Sequence, residues 1–279
     1  MAEELVVNSP KDIVYDKRYD LIKAVVKVVD PRFGFDMYFH NDIPPGRGLG
    51  SSASLAVLVV KLLSQLQGKE YDDYKIAELA YRAETEQLGI KGGWQDQYAA
   101  AIGGFNFMEF NGKQTLVYPL RLKEELVNEL GEHLTLCYVG LEHSAGEQHE
   151  SQEKKFRKDA EVTDTLTQLK QNAIDVRDCI LTRNIPRVGE ILHAAWENKK
   201  RVDPNITNAR IDELYSTGIA NGAYGGKLLG AGGGGYLLFF HPITRRNRLV
   251  RALKGVGGEI MNFGFESKGT QTWYSRSEY

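Results

Sequence analysis

Apolar residues recur at three- and four-residue steps over 20–30. Leu21, Ile22, Ala24, Val25, Val28 and Val29 predict a helix there, and Pro31 ends it. The segment 54–67 is apolar nearly all round, which predicts a buried helix, and 73–87 predicts another. Helices are also expected over 150–177, 184–198 and 245–255. The first of these is so rich in Lys and Glu that a solvated face is the plain reading. Alternation of apolar and polar residues is weak over 35–40 and clean over 105–110, and both predict strands, as does 133–139. The stretch 226–240 reads as strand, glycine turn, strand, and 264–273 as a last strand. The order lacks a strict βαβ rhythm, which predicts an α+β protein with helices packed on mainly antiparallel sheets. A charged amphipathic stretch over 121–132 marks a boundary between domains at 1–130 and 131–279.

Composition narrows the class. The chain has 279 residues, 42% hydrophobic and 26% charged, enough for two modest domains with proper cores. Its formal net charge of −2 favours neither nucleic acid nor an anionic membrane as a partner. The N-terminus has no basic stretch leading into an apolar core, and the apolar run 55–60 is too short to span a bilayer, so a cytoplasmic location is expected. Cys137 and Cys179 are expected to be free thiols of a reducing compartment.

Chemistry enters at Pro44-Pro45-Gly46-Arg47-Gly48-Leu49-Gly50-Ser51-Ser52-Ala53-Ser54. Three glycines at alternate positions let the backbone approach a ligand closely. Ser51 and Ser52 fall at the start of the next helix, where free N–H groups and the helix dipole favour an anion. A Walker A loop would need lysine after the last glycine, and Ser51 stands there instead. Gly48-x-Gly50-x-x-Ala53 fits a dinucleotide fingerprint on paper, but Pro44-Pro45 interrupts the approach. A plain glycine turn with a serine cap also fits.

Downstream, Glu84 precedes Gly92-Gly93-Trp94-Gln95-Asp96-Gln97. One carboxylate among neutral donors suits orientation or deprotonation of an alcohol, and a second carboxylate suits Mg²⁺. Asp96 as an ordinary helix cap fits the spacing equally well. A second glycine run, Gly230 to Gly235, is longer than a hairpin needs. Backbone packed against nucleotide phosphates, backbone packed against the first glycine loop, and a flexible surface loop are all compatible with it.

Together, Pro-x-x-x-Gly-Leu-Gly-Ser-Ser-Ala at 44–53, Gly-Trp-Gln-Asp-Gln at 93–97 and Lys-Leu-Leu-Gly-Ala-Gly-Gly-Gly-Gly at 227–235 resemble the GHMP superfamily of galactokinase, homoserine kinase, mevalonate kinase and phosphomevalonate kinase. Lys91 to Ala99, Gly104 to Phe110, Leu192-His193-x-x-Trp196-x-x-Lys199 and Asn221 to Lys227 are similar to its D-glycero-D-manno-heptose 7-phosphate kinase branch. The resemblance implies a ribosomal protein S5 domain 2-like first domain and a ferredoxin-like second one.

It further implies that ATP phosphates lie on Pro45, Gly46, Gly48, Leu49, Gly50, Ser51, Ser52 and Ala53, with Gly232, Gly233 and Gly234 contributing. Ser52 and Glu84 would hold Mg²⁺, and Asp96 would be the catalytic aspartate. The implied partner is a small sugar phosphate, converted to a sugar 1-phosphate that precedes nucleotide-activated heptose. A homodimer through charged helices is compatible with this.

Two departures stand out. The family's opening Pro-x-Arg strand and glycine-rich turn have no counterpart, so the first domain reads as N-terminally incomplete, with an exposed sheet edge. His143 stands where arginine is usual, replacing a permanent charge with one that titrates near neutrality. The alternatives are a nucleotide-binding but catalytically impaired relative, a kinase for a galactose- or fucose-like sugar, and a dehydrogenase using the 48–53 loop.

Overall fold

The structure is a computed structural model, and it describes residues 6–42, 47–112, 114–141, 160–230 and 232–275. Those residues form two compact units. Residues 6–42, 50–119 and 266–275 make the first; 47–49 and the described parts of 120–265 make the second.

The first unit is mainly helical. Helix α1 is Asp20–Val29, α2 Ser51–Leu66, α3 Asp73–Arg82 and α4 Gln95–Ile102. A wide π turn, Ala83–Gln87, continues α3. Strands β1 (Asn106–Phe110) and β2 (Thr115–Pro119) pair antiparallel. Helix α2 buries one face rather than its whole surface, with Leu58 and Leu66 exposed, so the apolar pattern overstated its burial. Its Ala56, Val57, Val60 and Leu63 meet Ala24 and Val25 of α1, Ile76, Ala77 and Ala80 of α3, and Ala101 of α4. Alanine at so many of these positions lets helix backbones come close, while the larger side chains supply the apolar area, roughly 1.5–3 kcal/mol for each Val or Leu fully buried.

The strand expected at 35–40 is absent. The segment pairs with no strand among the described residues, and Tyr38 is 94% exposed. Local alternation does not make a strand without a hydrogen-bonded neighbour. The strand expected at 264–273 is also absent. That segment caps the end of α4 instead, where helix carbonyls lack intrahelical partners. The Thr270 N–H donates to the Ala100 carbonyl at 2.9 Å, the Gly104 N–H donates to Glu266 at 2.9 Å, and Lys61 Nζ donates to the Thr270 carbonyl at 2.6 Å. Gly269 has no room for a side chain, since an added Cβ would fall 1.9 Å from the Ala101 carbonyl oxygen.

The second unit holds α5 (Glu124–Glu132), β3 (Leu134–Leu141), α6 (Ala160–Leu181), α7 (Ile185–Val202), α8 (Ala209–Ala220), β4 (Gly225–Leu228), β5 (Gly234–Phe240), α9 (Arg246–Gly255) and β6 (Glu259–Met261). The sheet order is β4-β5-β3-β6, antiparallel throughout. Two central strands from non-adjacent positions, flanked by the other two, with helices after the first and third strands, is the ferredoxin-like βαββαβ arrangement. Its core joins Cys137, Leu228, Leu237 and Phe239 of the sheet to Trp196, Ile211, Leu214, Leu249 and Leu253 of the helices. Cys137 and Cys179 are both free, and burial pushes the Cys137 thiol up to about 11. Among the described residues no helix is long and apolar enough to cross a membrane. The first ten residues of the helix expected over 150–177 lie outside the described residues.

Gly269→Ala is expected to lower stability by about 1–3 kcal/mol by forcing the C-terminal segment off α4. The shift in the urea unfolding midpoint measures it.

Candidate active site

Helix α2 opens without a cap. Gly50 precedes it at φ 69°, in the left-handed region, and no side chain bonds the first turn. The first intrahelical bond runs from the Ser54 N–H to the Gly50 carbonyl at 3.0 Å, which leaves the N–H groups of Ser51, Ser52 and Ala53 pointing off the helix end. The helix dipole adds partial positive charge there. An anion is what such an end accepts.

Glu84 projects to the same helix start from the π turn, a type of turn often found at functional sites. It is 7% exposed, and both carboxylate oxygens are engaged. Ser52 Oγ donates to Oε1 at 2.5 Å, and Gln97 Nε2 donates to Oε2. No ion pair with Glu84 forms among the described residues. Nearby, the Tyr81 hydroxyl is raised above its usual pKa, first by burial and then by the Glu84 charge. Gln97 is 4% exposed, and its Oε1 has no partner. A buried carboxylate lacking a cation, a hydroxyl and an orphaned amide oxygen make a hard-oxygen donor set that fits a divalent ion of the Mg²⁺ kind. Among the described residues no group of three or more His, Cys, Asp or Glu gathers to cage a metal. That fits an ion held by one carboxylate and completed by phosphate and water.

Asp96 is the second residue of α4, exposed, with its carboxyl beside Gly50. A Cβ built on Gly50 would lie 3.4 Å from Asp96 Cγ and 3.6 Å from Oδ2. The structure therefore brings Gly50, Ser51, Ser52, Ala53, Glu84 and Asp96 together in the first unit. Trp94, just before α4, stacks on Tyr81 with ring centroids 4.1 Å apart. Sequence reasoning had missed that Gln97 ties down Glu84. Thirteen residues and a glycine turn separate the two, and no periodicity links them.

Of the other predicted positions, Gly48, Leu49, Gly232, Gly233 and Gly234 lie in the second unit. Gly48 has φ 77°, and a Cβ there would meet the Leu229 carbonyl oxygen at 3.2 Å. Gly230 has φ 79°, and its Cβ would lie 3.1 Å from Gly48 Cα. At Gly235 a Cβ would fall 2.7 Å from the Arg47 carbonyl oxygen. Thus Gly230 and Gly235, at the two ends of the second glycine run, press on the backbone of residues 47–48, one of the packings open at the sequence level. Arg47 lies over the Tyr138 ring at 4.6 Å. The Gly233 N–H donates to the Ile206 carbonyl at 2.9 Å, and the Gly233 carbonyl accepts from Asn208 Nδ2 at 3.4 Å. Pro44, Pro45, Gly46, Ala231 and His143 lie outside the described residues.

An uncapped helix start faced by a buried, hydroxyl-bonded carboxylate and an exposed aspartate suits a phosphate group and a divalent ion. Residues 20–104 match the family model of the GHMP kinases N terminal domain, and residues 176–258 that of the GHMP kinases C terminal domain. A D-glycero-alpha-D-manno-heptose 7-phosphate kinase of Campylobacter jejuni is 34% identical over 264 residues, 92% of this chain and 78% of that protein. The crystal structure of a D-glycero-D-manno-heptose 1-phosphate kinase from Bacteroides thetaiotaomicron superimposes with a TM-score of 0.75 at 31% identity, covering 95% of this chain and 78% of that one. A mevalonate kinase of Pyrococcus horikoshii is 28% identical, over 85% of this chain and 68% of its own length. The chain belongs to the GHMP kinase family, and within it to the sugar kinases.

Gly230→Ala is expected to cost about 1–3 kcal/mol, combining a left-handed backbone with a side chain driven into Gly48. Chemical denaturation in the absence of nucleotide measures it.

Proposed function

We propose that this chain transfers the γ-phosphoryl group of ATP to the anomeric hydroxyl of D-glycero-D-manno-heptose 7-phosphate, giving the 1,7-bisphosphate. The observation that carries the reading is the cluster of Ser52, Glu84, Gln97 and Asp96 around the open end of α2. The names of two similar proteins support the substrate class: both are heptose phosphate kinases, one named for the 7-phosphate and the other for the 1-phosphate.

The backbone N–H groups of Ser51, Ser52 and Ala53 would receive phosphate oxygens of ATP, helped by the helix dipole. Gly50 would line the approach, with Pro45, Gly46, Gly48, Leu49 and Gly232 to Gly234 assigned to the nucleotide on the resemblance alone. Ser52 Oγ and the Glu84 carboxylate would hold Mg²⁺, which supplies charge neutralisation for the transferring phosphoryl group. Gln97 keeps Glu84 from rotating away. The Asp96 carboxylate would orient the sugar hydroxyl and take its proton as the hydroxyl oxygen bonds to phosphorus and ADP leaves. We place the enzyme in the cytoplasm, where ATP and sugar phosphates are found.

ADP release coupled to NADH oxidation, with heptose 7-phosphate, galactose and fucose compared side by side, tests the proposal. Heptose 7-phosphate is expected to give the highest kcat/KM. Asp96→Asn should lower kcat by about 10²–10⁴-fold while ATP binding persists. Glu84→Gln should raise the Mg²⁺ concentration needed for half-maximal rate. ATP binding by the wild-type chain without phosphoryl transfer to any sugar would overturn the reading in favour of an impaired relative. A higher kcat/KM for galactose or fucose would overturn the substrate.

A further inference from the structure

A cavity of about 220 Å³ lies within the second unit, among α6, α7 and β4. Its polar lining is two ammonium groups, an indole N–H and one amide, with no carboxylate. Asn172 comes from α6, Trp196 and Lys199 from α7, and Lys227 from β4, while the walls are aliphatic, Leu169 and Ile191 among them. Trp196 is 2% exposed, and its indole Nε1 has no hydrogen-bond partner; the Nδ2 of Asn172 is likewise buried without one. Neither Lys199 nor Lys227 forms an ion pair or a side-chain hydrogen bond among the described residues.

Two buried N–H donors without an acceptor and two unpaired, part-buried ammonium groups are costly to keep together. The cost is visible in the lysines themselves. Burial first, and then the charge of Lys227, pushes Lys199 down to about 8, with Asp203 pulling the other way; burial alone pushes Lys227 down. Lys200, the next residue of α7, is already paired with Glu197 at 2.8 Å and stays outside this set. Natural proteins keep such unbalanced groups where function needs them, at the expense of stability.

We infer that this cavity is a binding site for a small amphiphilic anion, a carboxylate or phosphate monoester carrying a compact apolar body. The anionic oxygens would meet Lys199, Lys227, the Trp196 indole N–H and the Asn172 amide, and the apolar body would lie along the aliphatic walls. The hydroxyl-covered body of a sugar does not suit those walls, so the ligand differs in class from the kinase substrate. Pockets of this composition, apolar with a few convergent polar groups, are the usual form of a small-molecule site.

Isothermal titration of the full chain with hexanoate, butyl phosphate and the neutral analogue hexanol tests this, together with Lys199→Met and Lys227→Met. At least one of the two anions is expected to bind at millimolar concentration or tighter, and at least tenfold more tightly than hexanol. Each methionine variant should weaken anion binding at least tenfold, and its thermal midpoint without ligand should equal or exceed that of the parent. Three results would overturn the inference: no binding of either anion at millimolar concentration, hexanol binding as tightly as the anions, or methionine variants that bind the anions as well as the parent does. A fall in the ligand-free thermal midpoint of both variants would also overturn it, because the lysines would then be structural.

Discussion

A carboxylate buried to 7% exposure must be satisfied where it stands, and in the first unit that requirement organises everything near the open end of α2. Glu84 draws Ser52 from the first turn of α2 and Gln97 from α4, so three separate backbone segments converge on one side chain. The alanine-rich packing of α1, α2, α3 and α4 makes the convergence geometrically affordable, because small residues let the helix backbones approach. Gln97 in turn fixes the start of α4, and with it Asp96, whose position one residue earlier sends its carboxyl outward to Gly50. Neighbouring residues thus divide the labour: Gln97 holds a buried acid, and Asp96 presents an exposed one.

The second unit supplies a different constraint, close approach of backbone to backbone. Residues 47–48 are gripped from Gly230 on one side and Gly235 on the other, with Arg47 stacked over Tyr138. The length of the second glycine run follows from this. A hairpin joining β4 and β5 needs few glycines, whereas one that must also lie flat against another loop needs them at its ends.

Much of this was legible in the sequence. Helices α1, α2 and α3 were legible in the apolar pattern, whereas α4, eight residues opening on Gln95-Asp96-Gln97, was not predicted as an element. Ser51, Ser52, Glu84 and Asp96 stood out because glycines and carboxylates flank them. The errors came where structure depends on partners. Residues 35–40 alternate like a strand but find no ladder, and 264–273 spends its hydrogen bonds on the end of α4. Strand β2 was missed although Asn111-Gly112 marks the turn before it, because its run is short and ends in Pro119. The tie between Gln97 and Glu84 and the donor-lined cavity were also hidden. Both are made by side chains from different elements, and no local spacing encodes such a meeting.

The grip on residues 47–48 changes how tolerance to substitution should be understood in this chain. Glycines in nucleotide-holding loops are commonly assumed to be irreplaceable because a phosphate must come close to them. At Gly48, Gly230 and Gly235 the space is taken by polypeptide. A substitution there would lower the folded abundance of the chain whether or not nucleotide is present, which marks these glycines as parts of the scaffold.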